Sequence, residues 1–397
     1  MKRSILYIYA LLLISSCAIA TSDEPYGADA LHELTIKVIY PDDYNYYDLE
    51  GMTVSIKDVD YSNSYSSTID SQGESSVKLT NGRYILQFSS KHNDKLFNAT
   101  ADNVIISDED LSVDLTAIMS TTAAIIIKEI YCGGCMKSPE EGTYQFDKYV
   151  ILHNNSSEVA YLDGLCLGML SPYNSTSNNI WSADQYSDYV VLADAVWKFG
   201  GDGTSFPLQA GEDAVVCQNG AIDHAAVYPL SVNLNKEDYF VLYSPTLFTN
   251  TSYHPAPGDK ISTDRYLSVV QKFGQASAWA FSVNSPAPVI FRPIDTTIEE
   301  HLALEGSINS SEKVAFIPVE WVYDGVEVYN GESSANSKRF TAVVDAGYVT
   351  QSTTYSGASL HRYIDQEESE RYGYEILMDT NNSTADFYQL SEASLHE

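Results

Sequence analysis

The chain has few basic residues. Its 397 residues include 22 lysines and arginines against 54 aspartates and glutamates, giving a formal net charge of −32 at pH 7. Such a surface repels phosphate backbones, so we predict no nucleic-acid partner. We interpret the acidity as a means of staying soluble at a crowded cell surface, and attraction of cations is the alternative.

Local signatures of catalysis and of metal binding are also missing. The eight histidines show no ligand spacing such as HxxxH or HxH, and no GxSxG, HExxH, P-loop, EF-hand or dinucleotide-binding pattern occurs. We therefore predict no catalytic residue, no metal site and no cofactor. Carboxylate pairs for glycosidic cleavage leave no local signature, so an extracellular glycan hydrolase stays open as an alternative.

No hydrophobic run is long enough to cross a bilayer of about 30 Å. The apolar stretch Ile5 to Ile14 follows two basic residues and ends in Ile14-Ser15-Ser16-Cys17. An aliphatic residue, two small residues and a cysteine form the lipobox pattern of bacterial lipoproteins. We predict that residues 1–16 are a lipoprotein signal peptide and that Cys17 carries the lipid that attaches the chain to a membrane.

The residues after the cysteine are polar, and we predict a lipid-anchored tether over 17–31. The pair Asp23-Glu24 resembles the acidic export signals of surface lipoproteins in the Bacteroides group. The resemblance implies attachment to the outer membrane with the body facing the extracellular side. A body that faces the periplasm is the alternative.

Residues 32–118 have the alternating pattern of half-buried strands, as in Leu34 to Ile39. Asn81-Gly82 between two such runs predicts a hairpin. The order Thr68-x-Asp70-x-x-Gly73, strand, Asn81-Gly82-x-Tyr84 resembles the carboxypeptidase regulatory domain and related transthyretin-like or Cna-B-like modules. This resemblance implies a small β-sandwich in which Asp70 and Gly73 shape a turn and Tyr84 packs over the core.

Residues 119–397 open with the β-branched run Ala123 to Ile130. Segments in the order found in lamin-tail-like domains follow, such as Asp147 to Ser156 and Leu208 to Val216. They imply a larger immunoglobulin-like β-sandwich with long insertions around 170–200 and 290–355. The fold class predicted for the whole chain is therefore all-β.

Near the C-terminus, Ser359-Leu-His-Arg362 is followed by Met378-Asp-Thr-Asn-Asn-Ser-Thr-Ala-Asp-Phe387. Together with the lipobox, this pairing resembles an uncharacterised lipoprotein family of gut Bacteroides-type bacteria, a domain of unknown function with no established activity. Arg362 can reach Asp379 or Asp386 in a bidentate ion pair, while Asn381 and Asn382 tolerate left-handed backbone. We interpret this motif as structural, and ligand binding is the alternative.

Cys132-Gly-Gly-Cys135 is the one candidate for thiol chemistry. It follows a strand rather than starting a helix, and no second cysteine pair completes a zinc knuckle. A local disulfide is the simplest account in an exported protein, and reduced thiols are the alternative. We predict Cys166 and Cys217 to be small core residues.

The segment Asn174 to Gly203 is rich in Asn, Ser, Tyr and Gly and contains Trp181, Tyr186 and Trp197. Recognition residues concentrate on loops held by rigid sheets, so we predict a recognition loop here. The predicted function is a non-enzymatic binding or accessory module of the cell envelope. Its candidate partners are an outer-membrane protein such as a transporter, or a glycan or peptide ligand. A purely structural or adhesive surface protein is a further alternative.

Overall fold

Strands dominate the computed structural model of the chain. The structure describes residues 30–41, 44, 49–61, 63–92, 95–139, 141–304, 308–309 and 314–396. The predicted all-β class is confirmed. Within these ranges, no helix is both long and apolar enough to cross a membrane. The predicted signal peptide, Cys17 and all but the last residues of the predicted tether lie outside the described residues.

The N-terminal part is a two-sheet sandwich, here called the small sandwich. Its strands are β1 (His32–Ile39), β2 (Thr53–Asp58), β3 (Ser64–Thr68), β4 (Glu74–Leu79), β5 (Gly82–His92), β6 (Lys95–Ile106), β7 (Leu111–Thr116) and β8 (Ile118–Thr121). One sheet has the order β4-β1-β7 and the other has the order β3-β2-β5-β6-β8. Because β8 pairs with β6 up to Thr121, this unit continues past the predicted boundary after residue 118.

The core of the small sandwich follows from the period of two along its strands. Leu34, Ile36 and Val38 of β1 point to one side and are buried, and they meet Val54 and Ile56 of β2 from the other sheet. The intervening residues of β1 are more exposed. Strands with one buried face therefore account for the alternating sequence pattern.

The turn before β4 has the arrangement that the regulatory-domain resemblance implies. The Asp70 carboxylate accepts hydrogen bonds from the backbone nitrogens of Gln72 and Glu74, each at 2.9 Å. Gly73 has a φ of +79°, in the left-handed region that favours glycine. Tyr84 is fully buried in the core between the sheets.

The hairpin predicted at Asn81-Gly82 is wrong. The two strands that it joins, β4 and β5, lie in different sheets, so this connection crosses between the sheets of the sandwich. The Asn81 side chain has another role, because it exchanges two hydrogen bonds of 2.8 Å with the backbone and carboxylate of Asp108. A short Asn-Gly pattern does not show which strands pair, because pairing depends on the packing of the whole unit.

The larger unit follows. Its first strands are β9 (Ile125–Tyr131), β10 (Cys135–Ser138), β11 (Glu141–Tyr144), β12 (Tyr149–Asn154), β13 (Ala160–Tyr161), β14 (Cys166–Met169), β15 (Tyr189–Ala193), β16 (Ala195–Lys198), β17 (Pro207–Leu208), β18 (Asp213–Cys217), β19 (Phe240–Leu242), β20 (Tyr266–Lys272) and β21 (Pro288–Phe291). The later elements are α1 (Ile298–Ala303), β22 (Ile308–Asn309), β23 (Val314–Pro318), β24 (Val322–Gly325), β25 (Val328–Asn330), β26 (Val349–Gln351), β27 (Ser359–Arg362), α2 (Gln366–Tyr372), α3 (Ser383–Asp386) and β28 (Phe387–Leu390).

One curved sheet of eleven strands organises this unit. Its order is β24-β21-β14-β16-β20-β19-β18-β12-β9-β27-β28. The sheet encloses an inner core that contains Trp197, Trp279 and Phe281. Residues that alternate with the inner ones form two further clusters on the outer face. One cluster lies under the three-stranded sheet β15-β23-β22 and the other includes Tyr131, Tyr149 and Ile151.

The two distant strands β24 and β9 meet at a junction that we call the seam. The Asp324 carboxylate of β24 accepts a hydrogen bond of 2.7 Å from the backbone nitrogen of Ile127 in β9. Arg362 of β27 donates to the Ile127 carbonyl at 2.9 Å and to the Asp324 carboxylate at 2.6 Å. It also contacts Asp379 at 3.3 Å and Asp386 at 3.2 Å. The predicted partners of Arg362 are therefore present, together with a third carboxylate.

The C-terminal motif also joins the two units. Asn381, with a φ of +53°, donates from its side chain to the Ser120 hydroxyl at 2.8 Å. The Asn382 side chain donates to the Ser89 hydroxyl at 2.9 Å. In return, the Asn98 amide donates to the Thr380 carbonyl at 2.6 Å. We call these hydrogen bonds the interdomain contact.

Three buried carboxylates around one guanidinium carry more negative charge than that group can balance. Burial raises the pKa of Asp386 to about 7 and that of Asp324 to about 6, although Arg362 opposes both shifts. The folded chain therefore holds protons there that the unfolded chain releases near pH 4. The stability that depends on these protons is lost as the pH rises toward the folded pKa values.

We predict that the free energy of unfolding of the wild-type chain falls relative to that of Asp386→Asn between pH 5.5 and 8, by about 2 kcal/mol. The amide cannot ionise, so this variant lacks the proton release at that position. Urea unfolding at several pH values measures the difference. Asp188→Asn, at an exposed position, is the control and should follow the wild-type profile. Parallel profiles for wild type and Asp386→Asn would contradict the prediction.

Candidate functional site

A groove with a volume of about 900 Å³ lies in the larger unit. We call it the sheet groove. Its floor lies on the outer face of the curved sheet and includes Ile151 of β12 and Val215 of β18. Ile151 alternates with Val150 and Leu152, and Val215 precedes Val216; these three neighbours belong to the inner core. The rest of the lining comprises Lys128, Leu162, Ser205, Phe206, Pro207, Leu208, Glu212, Asp213, Ala214, Asp238, Phe240, Arg265, His361, Ile364, Glu375, Tyr388, Ser394 and Leu395.

A network of charges occupies one end of the groove. Lys128 Nζ lies 2.7 Å from the Asp213 carboxylate and 2.5 Å from that of Glu375. The buried His153 ring contacts Asp213 at 2.7 Å through Nδ1 and the Glu375 carbonyl at 3.0 Å through Nε2. Burial disfavours the charge on Asp213, but hydrogen bonds from His153 and Lys128 outweigh it and lower the pKa of Asp213. This carboxylate is therefore ionised at neutral pH.

His153, Asp213 and Glu375 are also the one group of described residues whose ligand atoms lie close enough for a metal ion. The arrangement does not suit a cation, because the Lys128 ammonium already bridges both carboxylates. Both ring nitrogens of His153 are engaged in hydrogen bonds as well. We interpret this group as an ion-pair network that fixes one end of the groove.

The other end of the groove is aromatic and cationic. The Arg265 guanidinium lies over the rings of Phe240 and Phe206, with centroid distances of 4.8 and 5.9 Å. One guanidinium nitrogen donates to the Asp238 carbonyl at 2.7 Å. Stacking on the two rings holds the guanidinium plane in place while part of it stays accessible. The groove therefore combines an apolar floor with charges of both signs at its ends.

The last described residues form one wall. Ser394 donates through its backbone nitrogen, at 3.0 Å, and through its hydroxyl to the carboxylate of Glu129. Tyr149 donates to the same carboxylate at 2.8 Å. Glu129 is fully buried, and these hydrogen bonds replace the water that it has lost. The wall is therefore anchored to the sheet through a buried carboxylate.

The structure separates the three residues of the predicted recognition loop. Trp197 is fully buried in the inner core and stacks on Phe248 at a centroid distance of 5.5 Å. It does not belong to a recognition surface, because β16 is an interior strand of the eleven-stranded sheet. Trp181 and Tyr186 are half-buried and lie together, with ring centroids 5.2 Å apart. Both pack on Phe316 of β23.

The Cys132–Cys135 disulfide considered above is not formed in the structure. Both residues are buried free thiols with separate acceptors. Cys132 Sγ lies 2.8 Å from the Gln351 side-chain oxygen, and Cys135 Sγ lies 3.5 Å from the Asp147 carboxylate. Cys166 and Cys217 are buried, free and in contact with apolar clusters.

The arrangement of the groove could not be read from the sequence. Lys128, Asp213 and Glu375 lie far apart along the chain and have no ligand-like spacing. The strands β12 and β18 are mostly apolar and almost wholly buried, so the sequence of each strand does not distinguish one face from the other. Which of those faces forms a groove depends on strands from across the chain.

Comparison with known proteins gives a family without an assigned function. The sequence model described as "Protein of unknown function (DUF4876)" matches residues 209–394. This range contains the C-terminal motif and most residues of the sheet groove. The resemblance predicted from sequence, to a family of unknown function from Bacteroides, is confirmed. No curated protein matches the chain.

Among solved structures, a DUF4876 family protein from Bacteroides thetaiotaomicron is 25% identical, covers 90% of this chain and 94% of its own, and has a TM-score of 0.57. A DUF3823 family protein from Parabacteroides merdae is 13% identical and has a TM-score of 0.18. The match covers 36% of this chain and 67% of that protein. A putative carbohydrate binding protein from Bacteroides uniformis is 12% identical and has a TM-score of 0.18. The match covers 46% of this chain and 77% of that protein.

We predict that a chain with Cys17→Ala, purified without reductant, exposes no reactive thiol when folded and four thiols when unfolded. Burial raises the pKa of Cys132, Cys135 and Cys166 to about 12, and it also raises that of Cys217. Thiolates react with Ellman's reagent and thiols do not. Titration before and after addition of guanidinium chloride makes the measurement. A count of two reactive thiols in the unfolded chain, instead of four, would indicate a disulfide.

Proposed function

We propose that the chain is a non-enzymatic binding lipoprotein of the cell envelope, attached through Cys17. In this proposal the sheet groove binds an extended segment of a partner protein in the outer membrane. The observation that carries the proposal is the groove itself. It has a volume of about 900 Å³ and an apolar floor, and its ion pairs are already formed. Large pockets with a few convergent polar groups are the usual place of ligand binding.

The acidic residues favour binding over glycan hydrolysis. A glycosidase needs two accessible carboxyl groups, one of which has a raised pKa and acts as the acid. In the groove, the pKa of Asp213 is lowered. The acids with pKa values of about 6 and 7, Asp324 and Asp386, are buried around Arg362. Their side chains are almost fully buried in the seam and are paired with Arg362.

The shape and chemistry of the groove favour a protein segment as the ligand. Its floor crosses the adjacent strands β18, β12, β9, β27 and β28, and strand spacings of ~4.8 Å make this distance roughly 19 Å. An extended segment of about six residues spans that length. The aliphatic floor suits apolar side chains, while Arg265 and Glu212 at the rim suit charged ones. This is the usual composition of a core and rim at protein interfaces.

The location in the envelope is supported by the sequence. The lipobox ending in Cys17 supports lipidation, and Asp23-Glu24 supports export to the outer face of the outer membrane. A bacterial lipoprotein carries several acyl chains, and more than one chain is needed for stable attachment. An outer-membrane protein would then lie within reach of the groove, and a transporter is the class of partner that we propose.

We predict that the tagged lipoprotein, purified gently from outer membranes, carries a companion protein in near-equal amounts. Ile364→Arg, which adds a charged side chain to the groove wall, should reduce that companion at least tenfold. Arg265→Ala is a second groove variant, and it removes the guanidinium at the opposite end of the groove. Quantitative mass spectrometry of the purified material makes the measurement.

Val227→Arg is the matched control, because Val227 is 68% exposed and does not line the groove. It should keep the companion at the wild-type level. The Cys17→Ala variant should be lost from the membrane fraction, because it lacks the cysteine that carries the lipid. Recovery of the lipoprotein alone would contradict the proposal, and so would a companion that both groove variants retain.

A further inference from the structure

A second concavity lies between the small sandwich and the larger unit, with a volume of about 590 Å³. We call it the interdomain cleft. Its lining includes Lys57, Arg83, Gln87 and Asp102 from the small sandwich. The larger unit contributes Tyr329, Glu332, Ser333, Ser334, Asn336, Lys338 and Tyr348. Clefts between units are frequent ligand sites, because two surfaces supply groups around one ligand.

Hydrogen bonds between the units hold the cleft in shape. The interdomain contact places the C-terminal motif against β6 and β8. Thr100 also donates to the Ala346 carbonyl at 3.3 Å. At the cleft itself, Lys57 Nζ lies 3.0 Å from the Glu332 carboxylate and donates to the Tyr348 hydroxyl at 3.2 Å. The two walls are therefore fixed relative to each other without a ligand.

One wall carries a pair of stacked aromatic rings. Tyr329 and Tyr348 have centroids 4.1 Å apart and planes that differ by 14°. Lys57 Nζ lies 5.4 Å from the centroid of the Tyr348 ring. Both tyrosines are half-buried, so part of each side chain remains accessible. Aromatic faces of this kind pack well against the flat C–H faces of pyranose rings.

The charges of the cleft are balanced within it. Lys57 is paired with Glu332, and Arg83 lies 2.7 Å from Asp60. Lys338 donates to the Gly347 carbonyl at 2.7 Å, and burial lowers the pKa of this lysine. An anionic ligand would have to compete with these existing pairs and would meet the carboxylates as well. The balance therefore favours a ligand without net charge.

Three polar side chains of the lining, those of Gln87, Asp102 and Ser334, form no hydrogen bond or ion pair with any described residue. The Asp102 carboxylate interacts electrostatically with Lys338 and Tyr329. An amide, a carboxylate and a hydroxyl together offer donors and acceptors in the combination that sugar hydroxyls require. They face the same space as the stacked tyrosines.

We propose that the interdomain cleft binds an uncharged oligosaccharide. The sugar ring packs on the Tyr329–Tyr348 pair, and its hydroxyls form hydrogen bonds with Gln87, Asp102 and Ser334. This site is separate from the sheet groove. A failure of one proposal therefore leaves the other unaffected.

The test uses the full soluble chain with Cys17→Ala on an array of neutral and acidic oligosaccharides, followed by calorimetric titration of the strongest neutral ligand. The array includes maltohexaose, cellohexaose, xylohexaose and a galacturonate hexamer. We expect binding of a neutral oligosaccharide, at least tenfold weaker binding by Tyr348→Ala, and weaker binding by Asp102→Ala. Asp102→Ala is the second variant, and it truncates an exposed side chain.

Tyr372→Ala, which truncates a tyrosine that is 50% exposed and outside the cleft, is the matched control and should bind as wild type. Ile364→Arg in the sheet groove should also bind as wild type. The proposal is overturned if no neutral oligosaccharide binds, or if only the acidic hexamer binds. Binding that survives both Tyr348→Ala and Asp102→Ala overturns it as well.

Discussion

The buried guanidinium of Arg362 is the interaction on which the larger unit depends. It donates to the Ile127 carbonyl and to the carboxylates of Asp324, Asp379 and Asp386. These groups come from β9, from β24 and from the C-terminal motif. The guanidinium has five donors in a fixed plane, which suits a site where several acceptors converge from different directions. Loss of one partner in a buried network of this kind costs about 3–5 kcal/mol.

The same network connects the seam with the rest of the molecule. Asp386 also accepts hydrogen bonds from the backbone and hydroxyl of Thr380, at 2.9 and 2.8 Å. This holds the backbone on which Asn381 and Asn382 contact the small sandwich. The interdomain cleft therefore depends on a motif that Arg362 positions. The sheet groove is adjacent to this network, because His361, the neighbour of Arg362, lines the groove.

Much of the local structure could be predicted from the sequence, since it arises from neighbouring residues. The alternating strands, the Asp70 turn and the all-β class are of this kind. The pairing of Arg362 with Asp379 and Asp386 was also accessible, because the three residues lie within one short segment. Asp324 lies 38 positions from Arg362, and nothing near it in the sequence marks it as a partner.

Other features depend on long-range packing, which one sequence does not show. Trp197 belongs to a segment with the composition of a loop, yet it lies in an interior strand. The Asn81-Gly82 pattern predicted a hairpin, although the two strands that flank it, β4 and β5, belong to different sheets. The walls of the groove and of the cleft come from segments far apart in the chain, so neither concavity has a local signature.

Hydrogen exchange of an Arg362→Lys variant, followed by mass spectrometry, tests this account most directly. A lysine keeps the charge but has three donors in place of five, so it cannot satisfy all of these partners. We predict faster exchange in β9, in β24, over residues 379–387 and in β6 of the small sandwich. Arg371→Lys, at a side chain that is 66% exposed, should exchange as wild type. Faster exchange confined to β27, with β24 and the small sandwich unchanged, would contradict the central role of Arg362.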